Sequence, residues 1–90
     1  MKNNYTIIIT NYEIDLYDCD PFEIEALSEG ISINYSWDDY ELSISGSEAE
    51  VKETLAVIFS TTSFEKSLEY AKRHDYGVIE VRNGFKKVLL

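Results

Sequence analysis

The sequence has few of the residues that cross-link small proteins or direct them to membranes. Cys19 is the only cysteine among 90 residues, so no disulfide can form within the chain, which excludes the secreted disulfide-scaffold class. No apolar run approaches the roughly 20 residues of a membrane span. The first ten residues have too little charge and apolar length for a signal peptide. We therefore expect a cytoplasmic protein with no membrane association.

Motifs that carry catalytic chemistry are also missing. The sequence has no phosphate-binding glycine loop, no G-x-S-x-G nucleophile elbow and no C-x-x-C pair. Its one histidine, His74, follows Lys72 and Arg73 at the end of a predicted helix, where complementing the helix dipole explains it. The acidic neighbours of Cys19 disfavour the thiolate that a nucleophile requires. We expect no enzymatic activity and no cofactor.

The acids that follow Asp18 can be tested against the EF-hand calcium loop. A loop beginning at Asp18 has acids at its first, third and twelfth positions, namely Asp18, Asp20 and Glu29. Its fifth position is Phe22, which cannot bind a cation, and its sixth is Glu23, where the loop requires glycine. The pattern therefore predicts a solvated acidic surface and no metal site.

Basic residues are scarce and unevenly placed. The chain has 17 acidic and eight basic residues, a net charge of −9. Residues 1–45 contain ten acids and one base, whereas residues 46–90 contain seven of each. Apolar residues separate the acids, which indicates a folded acidic surface and not a tail. A nucleic-acid duplex carries about one negative charge per 1.7 Å of axis, and a protein that binds it must offset this charge with Lys and Arg. Because acids outnumber bases about two to one in this chain, we expect no direct nucleic-acid binding.

The apolar residues, at 44% of the chain, are sufficient for one folded domain over residues 1–90. Tyr5–Thr10 is apolar and β-branched, which predicts a strand buried on both faces. Asp20 and Pro21 form an N-cap and first helical position, and with Gly30 they predict a short helix over Pro21–Glu29. The alternation of apolar and acidic residues after Pro21 leaves a strand open as the alternative.

Two segments are typical of β-hairpins. Ile31–Trp37 and Tyr40–Ser45 are predicted to turn at Asp38-Asp39. That register places the following pairs on one apolar face: Trp37/Tyr40, Tyr35/Leu42 and Ile33/Ile44. Val78–Arg82 and Phe85–Leu89 flank Asn83-Gly84, the strongest short hairpin signal, which places Glu80 opposite Lys87.

Two helices are predicted between these hairpins. Ser47 and Glu50 have the spacing of a capping box, and an apolar repeat follows at Val51, Leu55, Ile58 and Phe59. Thr62 and Glu65 repeat the start signal, with an apolar stripe at Phe64, Leu68 and Ala71 and with Gly77 closing the second helix. The fold class is therefore α+β, an antiparallel sheet of two hairpins plus an N-terminal strand, with two to three helices on one face. The order also permits a ferredoxin-like core.

The function expected is that of a non-catalytic binding protein. Twelve acids lie between Asn3 and Val51 without any Lys or Arg, and they could occupy a basic, nucleic-acid-binding surface of a partner protein in place of phosphates. Seven tyrosines could anchor such an interface. The predicted partner-binding residues are Asp15, Asp18, Asp20, Glu23, Glu25, Asp38, Asp39 and Glu41.

Short length, acidity and the lack of catalytic motifs make the chain similar in general character to phage inhibitors of host defence. These include DNA mimics aimed at restriction or CRISPR nucleases. The resemblance concerns composition alone and assigns no residues. Three alternatives stay open: an immunity or antitoxin-like protein that neutralises a toxic enzyme, a small module that dimerises through the edge strand Phe85–Leu90, and an acidic protein whose charge only prevents aggregation. The oligomeric state stays open as well.

Overall fold

The computed structural model describes residues 5–14 and 30–90. Within them the chain forms a five-stranded antiparallel sheet and two helices, which confirms the α+β class. In chain order the elements are β1 (Tyr5–Thr10), β2 (Ser32–Ser36), β3 (Glu41–Gly46), α1 (Glu48–Ile58), α2 (Phe64–Arg73), β4 (Gly77–Arg82) and β5 (Phe85–Val88). The predicted helix Pro21–Glu29 lies outside the described residues.

The strands are arranged in the order β2-β3-β1-β4-β5, so β1 is central and β2 and β5 are the edges. Tyr5, Ile7 and Ile9 of β1 are buried, whereas Ile8 on the other face is only partly covered. The prediction that β1 is buried on both faces was therefore wrong. The described helices pack only against the face that carries Ile7 and Ile9, and the other face of the sheet is largely polar.

The hydrophobic core lies between this face of the sheet and both helices. α1 contacts β1 and β3, and α2 contacts β4. The side chains that fill the space are almost all β-branched or leucine on the sheet side, facing the apolar stripe of α1. The fully buried ones include Ile7, Ile9, Leu42, Ile44, Val51, Leu55 and Val78.

The first hairpin has the predicted register but a wider turn. Ile33 pairs with Ile44 and Tyr35 with Leu42, as the alternation of residues requires. The ladder stops at Ser36 and Glu41, so Trp37 and Tyr40 belong to a four-residue turn and are 55% and 47% exposed. Placing Trp37 and Tyr40 on the apolar face was wrong, because a tight turn at Asp38-Asp39 needs a residue such as glycine.

The second hairpin closes as predicted. Glu80 pairs with Lys87 and Arg82 with Phe85. Asn83 and Gly84 both have positive φ, 53° and 84°, which is the geometry of a two-residue type I′ turn.

Both helices begin at serine caps. Ser47 Oγ accepts a hydrogen bond from Glu50 N at 3.4 Å, as the capping-box spacing predicts. Ser47 Oγ also donates to the Glu50 carboxylate at 3.0 Å, where a capping box has the backbone N–H of the cap residue as donor. The cap of α2 is Ser63, which accepts from Lys66 N at 3.2 Å, and not Thr62. Thr62 and Ser63 are both favourable caps, so residue type alone could not choose between them.

Both helices end without glycine. Ser60 and Asp75 take the left-handed conformation, with φ of 55° and 60°. Thr61 N then donates to Ala56 O at 2.8 Å and Tyr76 N to Ala71 O at 2.9 Å, the Schellman pattern. Gly77 therefore does not close α2. It begins β4, where a side chain would collide with the Thr10 hydroxyl.

Candidate functional site: an acidic hairpin tip

The structure places three of the eight predicted partner-binding residues together. Asp38, Asp39 and Glu41 are all exposed at the end of the first hairpin. The other five lie outside the described residues, and their role in partner binding stays a prediction: Asp15, Asp18, Asp20, Glu23 and Glu25. We call the continuous exposed segment from Trp37 to Glu41 the acidic tip.

Hydrogen bonds fix the shape of the acidic tip. The Ser36 hydroxyl donates to Asp39 Oδ2 at 3.2 Å and accepts from Asp39 N at 3.3 Å, which closes the turn locally. On the other side, Tyr12 N donates to Tyr40 O at 2.9 Å and ties the turn to the chain that leaves β1. A turn held at both ends presents its side chains with little conformational freedom to lose on binding.

The carboxylates of the tip lie apart from the ion pairs that the described residues form. Among residues 5–14 and 30–90, the four ion pairs all involve helix residues or β4, and none includes Asp38, Asp39 or Glu41. Within the same residues the side chains of Asp38 and Glu41 make no hydrogen bond. Their charge is therefore available to a partner.

Two aromatic side chains flank these acids. Trp37 packs edge-on against Tyr35, with ring centroids 4.7 Å apart. The Tyr35 hydroxyl donates to Tyr12 O at 2.6 Å and accepts from Ile14 N at 3.3 Å, so the ring that supports Trp37 is itself anchored. The sequence pattern missed Trp37 and Tyr40 as surface residues. Their exposure could have been predicted from their position beside two acids in a turn that contains no glycine.

An aromatic cluster underlies the same end of the domain. Tyr12 contacts Tyr35, Phe59 and Tyr76 at centroid distances of 6.3, 5.9 and 5.2 Å. Burial raises the pKa of Tyr76 above its ordinary value, with a smaller contribution from Tyr70. These contacts make the support of the acidic tip apolar and firm.

His74 lies at the edge of this cluster. It is the C-cap of α2, and its ring stacks on Tyr70 with centroids 4.2 Å apart. Both observations agree with the interpretation that His74 serves the end of the helix.

The opposite end of the sheet is rich in charge but internally paired. Arg82 makes two hydrogen bonds to the Glu48 carboxylate, at 2.6 and 2.9 Å, and Lys52 adds a third at 2.8 Å. The bonds from Arg82 first, and then from Lys52, lower the pKa of Glu48 to about 2. The Tyr5 hydroxyl donates a hydrogen bond to Glu80 at 2.7 Å. Burial, and after it this hydrogen bond, raises the pKa of Tyr5 above its ordinary value. These acids and bases satisfy one another.

The described residues do not provide a metal site or a membrane-spanning helix. Within the described ranges, no group of three or more His, Cys, Asp or Glu side chains could hold a metal ion. Neither of the two described helices is long and apolar enough to cross a membrane. No protein-family model, curated protein or solved structure matches this chain.

Proposed function

We propose that this protein is a non-catalytic binding protein whose acidic tip docks on a basic surface of a partner protein, a surface that otherwise binds nucleic acid. The observation that carries the proposal is the arrangement Trp37-Asp38-Asp39-Tyr40. Two aspartates that form no ion pair with a described residue stand in the sequence between two exposed aromatic residues, on an anchored turn.

Charge supports the choice of partner. The tip combines three acids that pair with no base in the part of the chain that the structure describes, and the net charge of the whole chain is −9. Grooves that bind nucleic acid are lined by Lys and Arg, and carboxylates can occupy the positions that phosphates take. The same long-range field would accelerate association and make it sensitive to salt.

The aromatic residues support binding of a protein in particular. Trp and Tyr are enriched among the residues that dominate protein–protein binding energy, particularly where neighbouring polar groups surround them. Trp37 and Tyr40 are exposed at the tip, and each stands next to an aspartate in the sequence. A purely colloidal role for the acids would not need two large apolar rings to remain in solvent.

The test compares two double variants of equal charge change. Asp38→Lys with Asp39→Lys reverses the tip, and Glu53→Lys with Glu65→Lys reverses two exposed acids on the helices. Each protein is immobilised and exposed to nuclease-treated host lysate, and partners are eluted at stepped salt and identified by mass spectrometry. The affinity of each variant for the purified partner is then measured with and without a DNA duplex as competitor.

Two results together support the proposal: the tip reversal weakens partner binding about tenfold or more while the helix reversal changes it about twofold or less, and the DNA duplex displaces the protein. If both variants lose the same affinity for the partner, the effect comes from the net charge of the protein and not from the acidic tip. A partner that DNA does not displace would contradict the nucleic-acid-binding surface as the target. A partner that is itself a toxic nuclease would identify the immunity-protein alternative.

We also infer a ferredoxin-like core for β1 to β4. The order β2-β3-β1-β4 with all neighbours antiparallel supports it, and β5 is then an added edge strand. The inference requires a helical crossover between β1 and β2, a segment outside the described residues. Backbone chemical shifts of residues 15–29 test it, because helical shifts support the core and extended shifts contradict it.

A further inference from the structure

The second sheet edge, β5, differs from the acidic tip in every property relevant to binding. All four of its residues are exposed, Phe85 at 79% and Val88 at 71%. It carries Lys86 and Lys87, whereas Arg82, the β4 partner of its first residue, is already engaged by Glu48 and Glu80. Basic charge and exposed apolar side chains thus share one edge of an otherwise acidic protein.

The backbone of β5 also has free pairing capacity. Leu89 N donates to Val78 O at 2.8 Å, and antiparallel ladders alternate, so Phe85, Lys87 and Leu89 direct their backbone groups toward β4. The N–H and C=O groups of Lys86 and Val88 therefore point outward. Two residues with outward groups can accept one further strand.

Beside this edge lies an open groove of about 460 Å³. Its lining combines basic and aromatic side chains with one acid already engaged by Tyr5 and Arg82. The lining residues are Glu80, Arg82, Asn83, Phe85, Lys86 and Lys87. The groove is on the sheet edge and gives space for the side chains of an added strand.

We propose that β5 binds an extended, acidic peptide segment of a partner protein as a sixth, antiparallel strand. In that alignment the peptide residues opposite Lys87 and Lys86 are acidic, and those opposite Val88 and Phe85 are apolar. The recognised pattern is therefore apolar-acid-acid-apolar, read from the amino to the carboxyl end of the peptide. Cross-strand pairs of opposite charge and of apolar residues both favour it.

A second copy of this chain fits the edge less well. The register that uses the outward groups of β5 pairs Lys86 with Val88 of the second copy, which places Lys87 directly opposite its own counterpart. Like charges directly opposite each other destabilise a strand pair, whereas acids at these positions stabilise it. Lysine on an edge strand is also a common device against self-pairing. Charge thus selects a peptide of opposite sign.

The probe is a capped, fluorescein-labelled peptide, Ser-Thr-Val-Glu-Glu-Val-Thr-Ser, whose binding is followed by fluorescence anisotropy. Two N-methylated forms test the strand geometry while the protein stays unchanged. Methylation of the second glutamate removes the N–H that bonds to Lys86, and methylation of the first glutamate alters an N–H that points away. We expect about tenfold weaker binding from the former and about twofold or less from the latter.

Two double variants of the protein test the charge. Lys86→Glu with Lys87→Glu is expected to weaken peptide binding about tenfold or more. Lys66→Glu with Lys72→Glu changes the net charge equally on α2 and is expected to change binding about twofold or less. The tip variant Asp38→Lys with Asp39→Lys should leave peptide binding intact, which separates this site from the proposed function.

Three results would overturn the proposal. They are absence of peptide binding at millimolar protein, equal losses in the two lysine pairs, and equal losses in the two methylated peptides. If the protein forms a dimer, and if Lys87→Glu changes the dimer affinity in either direction, Lys87 lies in the dimer interface. The edge would then bind a second copy of the chain and not an acidic peptide.

Discussion

The two hairpins of this sheet close in different ways. The second uses Asn83-Gly84, residues that adopt positive φ readily, and its turn takes two residues. The first uses Trp37-Asp38-Asp39-Tyr40, and Tyr40, a bulky residue, has φ of 54°. A bulky residue in this region costs about 1–2 kcal/mol. The first turn is therefore locally strained, and it leaves two aromatic rings exposed to solvent. Backbone strain of this kind is frequent at functional sites.

The largest expected effect concerns the exposed tryptophan. Trp37→Ala should weaken partner binding about tenfold or more, because it removes the ring that would be buried at the interface. The free energy of unfolding should fall by about 1 kcal/mol, because the half-exposed ring loses its edge-on contact with Tyr35. Isothermal titration calorimetry and urea unfolding measure the two quantities. Val57→Ala, which removes an apolar side chain with the same 55% exposure on α1, is the control and should leave binding unchanged.

Gly84 of the second hairpin should contribute to the stability of the protein and not to partner binding. A Cβ at Gly84 meets nothing within 4 Å, so Gly84→Ala introduces only backbone strain at φ of 84°. We expect a loss of about 1–2 kcal/mol in the free energy of unfolding. Partner binding at the acidic tip should be unaffected. Unchanged stability in urea titrations would show that this turn tolerates another geometry.

The first turn should respond to glycine in the opposite direction. Tyr40→Gly relieves the positive φ at the cost of greater freedom in the unfolded chain, for a net gain of about 0.5 kcal/mol in stability. The same change should weaken partner binding severalfold. A variant that is both more stable and fully competent for binding would contradict the view that Tyr40 is retained for the interface.

The smallest expected effect lies at the paired end. Glu48 has its pKa lowered from 4.5 to about 2, so its interaction with Arg82 and Lys52 stabilises the fold above pH 4.5 and is lost as the pH falls toward 2. Glu48→Gln should therefore flatten the dependence of stability on pH in that window. Thermal unfolding between pH 2 and 7 measures it. Glu53→Gln is the control, because Glu53 is exposed and lies outside the ion pairs of the described residues. If it flattens the dependence of stability on pH as much as Glu48→Gln does, the effect comes from net charge and not from the Glu48 ion pairs.

Local patterns predicted most of the fold. Alternation of apolar and polar residues fixed the register of β2 with β3, because a slip of one residue would move Ile33 and Ile44 out of the core. The Ser47 N-cap of α1 and the Asn83-Gly84 turn depend on residues close in sequence, and both were confirmed. The end of α2 was assigned to Gly77 and was wrong, because Asp75 adopts a conformation that the sequence pattern assigns to glycine.

The candidate site was only partly predictable. Charge located Asp38, Asp39 and Glu41 at an exposed turn, since hairpin ends project into solvent. The orientation of Trp37 depends on where the ladder stops and on the contact with Tyr35, which no local pattern encodes. The pairing of Arg82 with Glu48 joins residues 34 positions apart and required the folded sheet.

The positions of the two hairpin turns have one more consequence. β3 and β4 both run antiparallel to β1, so the turn before β3 and the turn after β4 lie at opposite ends of the sheet, and β2 and β5 lie at opposite edges. Acids outside the ion pairs of the described residues and exposed lysines thus occupy diagonal corners, and these charged groups contribute an electric dipole along the diagonal of the described sheet. In the field of a basic surface this dipole experiences a torque that turns the acidic corner forward before contact. Orientation would then precede collision, and added salt would slow productive encounters more than it slows diffusion.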